Sequence, residues 1–216
     1  MTLDFENLRR RLRSALVADV LDGMGRRHQC LGSGIVPLRS ADILIGRAFP
    51  VTVIEVDTPI EPPYQGLLRA LDAIAADDIF VYPTGRSSRA AVWGELVSTA
   101  CLARGAAGAM TDGLIRDTER IRALGFPVFA RGTLPLDVNG RLEVVGHGAD
   151  VFLDGVRIRA GDLIVADADG VVIVPADVEA EAVELALAKD AREADFRSAV
   201  AAGTAPSVAF DQFKVL

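Results

Sequence analysis

The residues best suited to catalysis follow a predicted buried strand. The strand at residues 106–111 leads into a turn at Asp112 and Gly113, and Arg116 and Asp117 come next, at the mouth of a predicted helix. In open α/β sheets, ligands bind at this end of the strands. Arginine offers a planar fork for a carboxylate, and aspartate offers a hard oxygen ligand for a divalent cation. The pair suits a 2-oxo acid chelated to Mg²⁺, but it also suits an ordinary helix start, where Asp favours the positive end of the helix dipole.

Other common catalytic arrangements are missing from the sequence. His28 and His147 stand in loop-like contexts without HxH or HExxH spacing, which argues against a histidine zinc site and a Ser-His-Asp triad. The sequence contains no GxxxxGK[ST] phosphate loop and no GxGxxG fingerprint. Lys189 and Lys214 are the only lysines among 23 basic residues, and neither lies near a predicted strand end. A Schiff-base mechanism, which needs a desolvated lysine, is therefore not expected.

Composition narrows the class of protein further. The 216 residues carry 23 basic and 30 acidic side chains, a net charge of −7, so no nucleic-acid partner is expected. No apolar run approaches about 18 residues, so no membrane partner is expected either. Cys30 and Cys101 form no CxxC pair, and the N-terminus lacks a signal-peptide pattern, so we expect a cytoplasmic protein. Cys101 lies in an apolar helix and is predicted to be a buried structural thiol.

The elements that must position these residues alternate between helix and strand, which is typical of α/β layering. Helices are predicted at residues 5–24, about 64–76, 93–104, 117–124 and about 176–201. Strands are predicted at 42–57, 79–83, 108–113 and 127–131, followed by a run of short strands with Gly-rich turns over 136–175. The tail from 204 onward is predicted to be irregular. No linker separates two halves, so we predict one domain spanning residues 1–216.

Several motifs together resemble one known family. They are Trp-Gly-Glu-Leu at 93–96, Ala-Arg-Gly-Ala-Ala-Gly at 103–108, Asp-Gly-Leu-Ile-Arg-Asp at 112–117, Phe-Pro-Val-Phe-Ala-Arg-Gly at 126–132 and the glycine-containing strand pair at 161–175. This series is similar to the family of regulator of ribonuclease activity A and 4-hydroxy-4-methyl-2-oxoglutarate aldolase. The resemblance runs from the first helix to the last, and the DGxxRD element with its upstream G[DE]L is the most specific part.

The resemblance implies a fold, an assembly and a chemistry. The implied fold is a single compact α/β/α swivelling domain with a mixed sheet. The implied assembly is a homotrimer, or a hexamer of two trimers, with active sites between subunits. The implied activity is that of a class II aldolase with Mg²⁺ or Mn²⁺ as cofactor, which cleaves a 4-hydroxy-2-oxo acid to pyruvate and a second oxo compound. Oxaloacetate decarboxylation is expected as a side activity, because loss of CO₂ generates the same pyruvate enolate.

The resemblance also assigns roles to particular residues. Arg116 would hold the pyruvyl carboxylate of the substrate, and Asp117 would bind the metal. Glu95 would orient a metal-bound water. A turn would present backbone N–H groups to the substrate, and its residues are Gly94, Glu95, Leu96 and Val97.

A further acid is expected from the C-terminal helix, which would reach the neighbouring subunit. Glu193 is the best match, and Asp190 and Asp195 are the alternatives. In the family, this acid completes an active site that two subunits share.

Two other functions stay open at this point. Some members of the family are non-catalytic regulators that bind a ribonuclease, and in general these lack the metal aspartate, whereas Asp117 is present here. Alternatively, the catalytic site is kept and the substrate is another hydroxy-oxo acid. Substrate choice would then lie in segments 59–64 and 84–89, where Arg86 or Arg89 binds a second carboxylate or simply lies in a solvated loop.

Overall fold

The structure, a computed structural model, describes residues 3–215 and contains thirteen strands and seven helices within that range. The strands are β1 (Val36–Pro37), β2 (Leu44–Glu55), β3 (Asp78–Tyr82), β4 (Ala91–Trp93), β5 (Gly108–Thr111), β6 (Leu114–Ile115), β7 (Val128–Ala130), β8 (Gly132–Thr133), β9 (Leu142–His147), β10 (Val151–Leu153), β11 (Val156–Ile158), β12 (Leu163–Asp167) and β13 (Gly170–Val174). The helices are α1 (Phe5–Arg11), α2 (Ser14–Gly23), α3 (Gln65–Ala73), α4 (Glu95–Ala103), α5 (Thr118–Leu124), α6 (Glu179–Ala201) and α7 (Pro206–Phe213).

The main sheet has eight strands and mixed directions. Its order is β1-β7-β5-β3-β2-β12-β13, and β9 pairs with the outer half of β2. Strands β2, β3, β5 and β7 run parallel, whereas β1, β9, β12 and β13 are antiparallel to their neighbours. Two smaller sheets are formed by β4-β6-β8 and by the β10-β11 hairpin. The predicted α/β class with a mixed sheet is confirmed.

Apolar side chains on the two faces of the central strands enter different parts of the core. On β3, Phe80 and Tyr82 pack with α3, α4 and α5, whereas Ile79 and Val81 pack with the β10-β11 hairpin. This separation follows from the two-residue period of a strand, which sends successive side chains to opposite faces. A third cluster joins α1, α2 and α6 to the β12-β13 end of the sheet. Cys101 is fully buried against α3–α5, as predicted.

The predicted single helix at residues 5–24 is wrong, because it is broken into α1 and α2. Leu12 and Arg13 adopt extended backbone conformations between the two helices. The next residue, Ser14, donates from its backbone N–H and its hydroxyl to the buried Asp167 carboxylate, at 2.7 and 2.6 Å. These charge-assisted bonds replace the helical bonds that a continuous helix would have made.

Two smaller predictions also fail. The tail is not irregular throughout, since α7 begins with Pro206 at its first turn, where proline is well tolerated, and buries Ala209. His147 does not lie in a loop but ends β9, and its ring stacks on Phe49 with a centroid separation of 5.2 Å. Both cases reflect tertiary packing that the local sequence does not encode.

Helix α3 lies directly on β9, and this contact fixes one wall of the candidate site. A Cβ atom at Gly66 would lie 1.5 Å from the backbone oxygen of Val144, so only glycine permits the approach. Two residues before Gly66, Tyr64 is the N-cap of α3 and adopts a left-handed backbone conformation with φ of 60°. Its phenol is thereby placed at the mouth of the cleft described below.

Candidate active site

A cleft of about 370 Å³ opens between α3, the first turns of α4 and the start of α5. It lies next to the point where β4 gives way to α4 and β6 gives way to α5. Most of its lining is apolar, and three charged side chains gather at one end. The lining residues are Tyr64, Leu67, Leu68, Leu71, Ala91, Val92, Trp93, Gly94, Leu96, Val97, Ala100, Arg116, Asp117, Asp137 and Val138.

Asp117 and Gly94 meet at the charged end of the cleft. Asp117 adopts a left-handed conformation with φ of 57° just before α5, and its carboxylate makes no capping hydrogen bond to that helix. A Cβ atom at Gly94 would lie 2.8 Å from Asp117 Oδ2, so a larger residue at 94 would displace the carboxylate. The Asp117 side chain is 44% exposed. Its oxygens are thus available to a ligand, and they do not cap α5.

Arg116 is held by a second aspartate. Its Nη2 lies 3.0 Å from Asp137 Oδ1, and its Nε lies 3.8 Å from Asp117 Oδ2. The Tyr64 hydroxyl donates to the other Asp137 oxygen at 2.7 Å. The guanidinium is therefore oriented from one side, which leaves other N–H groups for an anionic ligand in the cleft.

The pKa values of this chain of side chains follow from its contacts. Burial alone would raise the pKa of Asp137, but hydrogen bonds from Tyr64 and from the backbone N–H groups of Asn139 and Val138, together with the charge of Arg116, lower it below its usual value. The hydrogen bond to Asp137 and partial burial raise the pKa of Tyr64. At neutral pH, Asp137 is therefore an anion and Tyr64 is a neutral donor.

The first turn of α4 presents backbone donors beside Asp117. The helix begins at Glu95, and its first intrahelical bond runs from Ser98 N–H to the Gly94 oxygen at 3.1 Å. The N–H groups of Leu96 and Val97 precede that bond, so they have no partner within the helix. The Glu95 N–H donates weakly to Asp117 Oδ2 at 3.4 Å, and the Glu95 carboxylate accepts a bond from the Thr99 hydroxyl at 3.0 Å.

Most of the predicted central residues thus come together in the lining of the cleft: Gly94, Leu96, Val97, Arg116 and Asp117. The Glu95 side chain is not part of that lining, and the acids of the C-terminal helix do not reach this cleft. Glu193 lies on α6, where it pairs with Arg197 at 3.3 Å and with Lys189 at 3.9 Å. Asp190 pairs with Arg11 at 2.9 Å, and Asp195 is exposed to solvent. None of these acids is among the residues that line the cleft of their own chain.

The two arginines considered for a second carboxylate also lie outside the cleft lining. Arg86 contacts Asp154, with Nε 3.4 Å from Oδ1. Arg89 pairs with Asp57 at 2.7 Å and with Glu55 at 3.3 Å. The loop that carries both arginines is held by the buried Asp112, whose carboxylate accepts hydrogen bonds from the Thr84 N–H, the Thr84 hydroxyl and the Arg86 N–H. Within a single chain, these contacts favour a structural role for both arginines.

The donor set at the charged end fits Mg²⁺ or Mn²⁺ better than zinc. Within residues 3–215, no three His, Cys, Asp or Glu side chains come together as a metal cage. Mg²⁺ does not need one, because it usually keeps several waters and binds one or two carboxylates together with its substrate. Asp117 offers a half-exposed carboxylate close to Gly94, and Asp137 adds a second negative charge nearby. The residues present therefore fit such a cation.

Reasoning from sequence missed Asp137 completely. This residue precedes an Asn-Gly pair at 139–140, a pattern that predicts only a turn. Tyr64 fell within a segment considered for substrate choice, but its bond to Asp137 was not foreseen. Both residues come from distant parts of the chain, and no local signal links them to Arg116.

The sequence profile of the RraA-like family, described as Aldolase/RraA, matches residues 14–173. The chain belongs to the RraA-like family. A relative from Halalkalibacterium halodurans, provisionally named a 4-hydroxy-4-methyl-2-oxoglutarate aldolase, is 32% identical over 189 residues, which are 88% of this chain and 85% of that protein. The family resemblance read from the motifs is therefore confirmed.

Solved structures with the same fold support the same assignment. Streptomyces coelicolor RraAS2, described as an unusual member of the RNase ES inhibitor RraA family, has a TM-score of 0.78 and 29% identity, and the match covers 91% of this chain and 98% of RraAS2. An uncharacterized protein from Pseudomonas syringae pv. tomato has a TM-score of 0.81 and 26% identity, with 93% of each chain covered. RraA-like relatives thus carry both aldolase and inhibitor names. No helix within residues 3–215 of this RraA-like chain has the length and apolar character needed to cross a membrane.

Proposed function

We propose that this chain is a divalent-metal-dependent lyase that cleaves a 4-hydroxy-2-oxo acid to pyruvate and a second oxo compound. One observation carries the proposal. Arg116, Asp117 and the free N–H groups of the first turn of α4 meet in one cleft, beside Gly94, whose missing side chain lets the Asp117 carboxylate approach that turn. Each of these groups has a separate task in forming a pyruvate enolate. The name of the relative from H. halodurans supports the same class of reaction.

Substrate binding begins at Arg116. Its guanidinium is fixed by Asp137, and its remaining N–H groups bind the carboxylate of the 2-oxo acid. The Leu96 and Val97 N–H groups are placed to donate to the keto oxygen, where negative charge develops during the reaction. Asp117 would hold Mg²⁺ or Mn²⁺, with Asp137 contributing negative charge. When bound, the cation supplies a Lewis acid for the carboxylate and keto oxygens of the substrate.

Cleavage then requires a base and an acceptor for an electron pair. A water oriented by Glu95 takes the proton of the C4 hydroxyl, the C4–O bond gains carbonyl character, and the C3–C4 bond breaks. The released electron pair forms the enolate of pyruvate, whose oxygen accepts hydrogen bonds from the backbone N–H groups at the start of α4. Protonation at C3 then yields pyruvate. Decarboxylation of oxaloacetate passes through the same enolate, with CO₂ as the leaving group.

We also propose that the active enzyme is a homo-oligomer in which Glu193 of α6 enters the cleft of a neighbouring subunit, as the resemblance seen in the sequence motifs implies. In its own chain, Glu193 faces Lys189 and Arg197 and not the cleft. Leu96 is 78% exposed at the cleft rim, which leaves an apolar edge for another subunit to cover. Asp190 is less suited than Glu193, because Arg11 holds its carboxylate at 2.9 Å, closer than Lys189 or Arg197 lies to Glu193.

The test is a pyruvate-release assay with oxaloacetate and with 4-hydroxy-4-methyl-2-oxoglutarate. We expect turnover with Mg²⁺ and loss of turnover with EDTA, restored by added Mg²⁺ or Mn²⁺. Turnover that survives EDTA contradicts the proposed metal dependence. The absence of pyruvate from both compounds contradicts the lyase and favours a binding role like that of the inhibitor family to which RraAS2 belongs.

Subunit mixing tests the shared site. Asp117→Asn and Glu193→Gln are each expected to be nearly inactive alone. If two subunits build each site, hetero-oligomers formed from the two variants contain some sites with both native residues and recover part of the activity. A monomeric native protein by light scattering, or an unaffected Glu193→Gln variant, contradicts the arrangement. Glu184→Gln, an exposed acid on the same helix, is the matched control.

A further inference from the structure

Ser98 is a fully buried polar residue of α4, and it follows directly on the turn that offers backbone N–H groups to the substrate. Its hydroxyl accepts a hydrogen bond from the indole N–H of Trp93 at 2.8 Å and donates one to the Gly94 carbonyl at 3.0 Å. The Ser98 N–H donates to the same carbonyl at 3.1 Å. The Gly94 oxygen thus accepts two hydrogen bonds from one residue, which fixes its direction.

Fixing the Gly94 carbonyl also fixes the N–H group at the other end of the same peptide bond. Because a trans peptide unit is planar, the Glu95 N–H points away from the Gly94 oxygen. This N–H is the one that approaches Asp117 Oδ2 at 3.4 Å. Glycine has no side chain to restrict its backbone, so the two bonds from Ser98 supply the restraint at this position.

Trp93 connects this turn to the other half of the site. Its backbone carbonyl accepts a hydrogen bond from the Arg116 N–H at 2.9 Å, while its indole donates to Ser98. The indole ring packs on Phe80 and Phe126, with centroid separations of 5.1 and 6.4 Å. Trp93 and Ser98 are both buried within one chain, so these bonds do not depend on what covers the rim of the cleft.

We infer that Ser98 is a positioning residue for the lyase reaction. Its hydroxyl holds the first turn of α4 so that the Leu96 and Val97 N–H groups keep a fixed direction. The inference rests on the proposed function, because these donors matter most when the keto oxygen gains negative charge as the enolate forms. Donors that are fixed in advance stabilise this charge without reorganising during the reaction. Ser98 itself does not touch the substrate and acts only through the turn.

A purely structural role for Ser98 predicts a different outcome. The buried indole N–H of Trp93 needs an acceptor in any protein, so loss of the hydroxyl would then lower stability and leave turnover unchanged. Ser14 provides the matched control, because it is also buried and its hydroxyl donates to the buried Asp167. Ser14 lies on α2, and no residue of that helix lines the cleft.

Steady-state pyruvate release separates the two roles. For Ser98→Ala, we expect kcat to fall about tenfold and KM to change by about twofold or less, because the loss falls on the transition state. Ser98→Thr keeps a hydroxyl that can bond the carbonyl four residues earlier, so its kcat should stay within about threefold of the native value. Ser14→Ala should lose stability and keep the native kcat. Native kcat in Ser98→Ala, or an equal loss in Ser98→Thr or Ser14→Ala, overturns the inference.

Fluorescence reports the bond between Trp93 and Ser98 directly, because Trp93 is the only tryptophan of the chain. We expect the emission of Ser98→Ala to move to shorter wavelength, since the indole loses its hydrogen-bond acceptor. Ser98→Thr and Ser14→Ala should keep the native emission. If Ser98→Ala does not fold, Ser98→Cys gives the same comparison, because a thiol is a weaker hydrogen-bonding group of similar shape. Unchanged emission in the variant that lacks the hydroxyl contradicts the bond.

Binding of oxalate separates a failed inference from a failed function. Oxalate is a dianion that imitates the pyruvate enolate, whereas pyruvate carries a neutral keto group. In calorimetry with Mg²⁺ present, we expect Ser98→Ala to bind oxalate about tenfold more weakly than the native protein and pyruvate about twofold more weakly or less. The same change for both ligands, or no binding of oxalate to the native protein, overturns the inference. A native protein that releases no pyruvate removes the lyase, and the oxalate comparison then decides the role of Ser98 alone.

Discussion

Asp117 and Asp167 each lie beside the first residue of a helix, yet their surroundings are opposite. Asp167, at the β12-β13 end of the sheet, is buried and receives hydrogen bonds from the Ser14 N–H, the Ser14 hydroxyl and the Asp169 N–H, all at 3.0 Å or less. Asp117, in the cleft, is 44% exposed, makes no cap, and has its closest described donor at 3.4 Å. The same residue type thus completes the fold in one region and is left open in the other.

The difference teaches how a functional carboxylate can be distinguished from a structural one. A buried carboxylate must be satisfied within the protein, because an unpaired one is costly. A carboxylate that is to bind a cation must keep its oxygens accessible, so it contributes little to stability. The left-handed backbone at Asp117 points the same way, since it places the side chain toward Gly94 and away from the N–H groups of α5.

The largest expected effect comes from Asp117→Asn. We expect kcat/KM for Mg²⁺-dependent pyruvate release to fall about 10³-fold, because the amide binds the cation poorly. The melting temperature should stay within about 2 °C of the native value, since Asp117 does not cap α5 and its bond from the Glu95 N–H is long. Steady-state kinetics and thermal melting check the two parts. Asp72→Asn, at an exposed position of α3, is the control, and full activity in Asp117→Asn would place the cation elsewhere.

Asp167→Ala should have the reverse effect. It leaves two buried donors of Ser14 without a partner, so we expect the free energy of unfolding to fall by about 3 kcal/mol. We expect kcat/KM at 25 °C to be unchanged in the protein that remains folded. Urea unfolding followed by circular dichroism gives the first quantity. A large loss of turnover without loss of stability would erase the contrast between the two aspartates.

Asp137→Asn is expected to act through Arg116. With its anionic partner gone, the guanidinium is less well oriented, and we expect KM to rise about tenfold while kcat changes by about twofold or less. Tyr64→Phe should give a smaller change in the same direction, because it removes only the bond to the other oxygen. A fall in kcat at constant KM would instead show that Asp137 acts on the reacting atoms.

The smallest expected effect is a pH dependence of stability. The pKa of Asp137 is lowered from its ordinary 3.8, so its ionised form stabilises the folded state fully above that pH. This contribution is lost as the pH falls through the lower, folded-state pKa. We therefore expect the native protein to have a higher melting temperature than Asp137→Asn near pH 7. The difference between the two melting temperatures should disappear below pH 3.8. A difference in melting temperature that stays constant from pH 7 to pH 3 would contradict the stabilisation of the Asp137 anion by Tyr64, the backbone N–H groups and Arg116.

The central part of the site could be predicted because its residues are close in sequence. Residues 94–97 and 116–117 follow two short paired strands, β4 and β6, so local motif and spatial proximity coincide. The boundaries of α4 and α5 were predicted to within two residues, since both helices carry apolar residues at helical spacing.

Asp137 and the break at Leu12–Arg13 could not be predicted, because both depend on contacts between distant parts of the chain. Asp137 meets Tyr64, which is 73 positions away, and Ser14 meets Asp167 across 153 positions. Helical periodicity continues through Leu12, and only the competing carboxylate shows why the helix stops.

Gly66 gives the cleft a property that matters for redesign. Because the backbone of α3 rests on the backbone of β9, the height of this helix above the sheet is set without any help from the side chains that face the ligand. Leu67 and Leu71 line the cleft and also pack in the core, so shortening either side chain should enlarge the cleft at a cost in stability. A library of substitutions at these two positions should change the volume of the cleft beside α3 without moving Arg116.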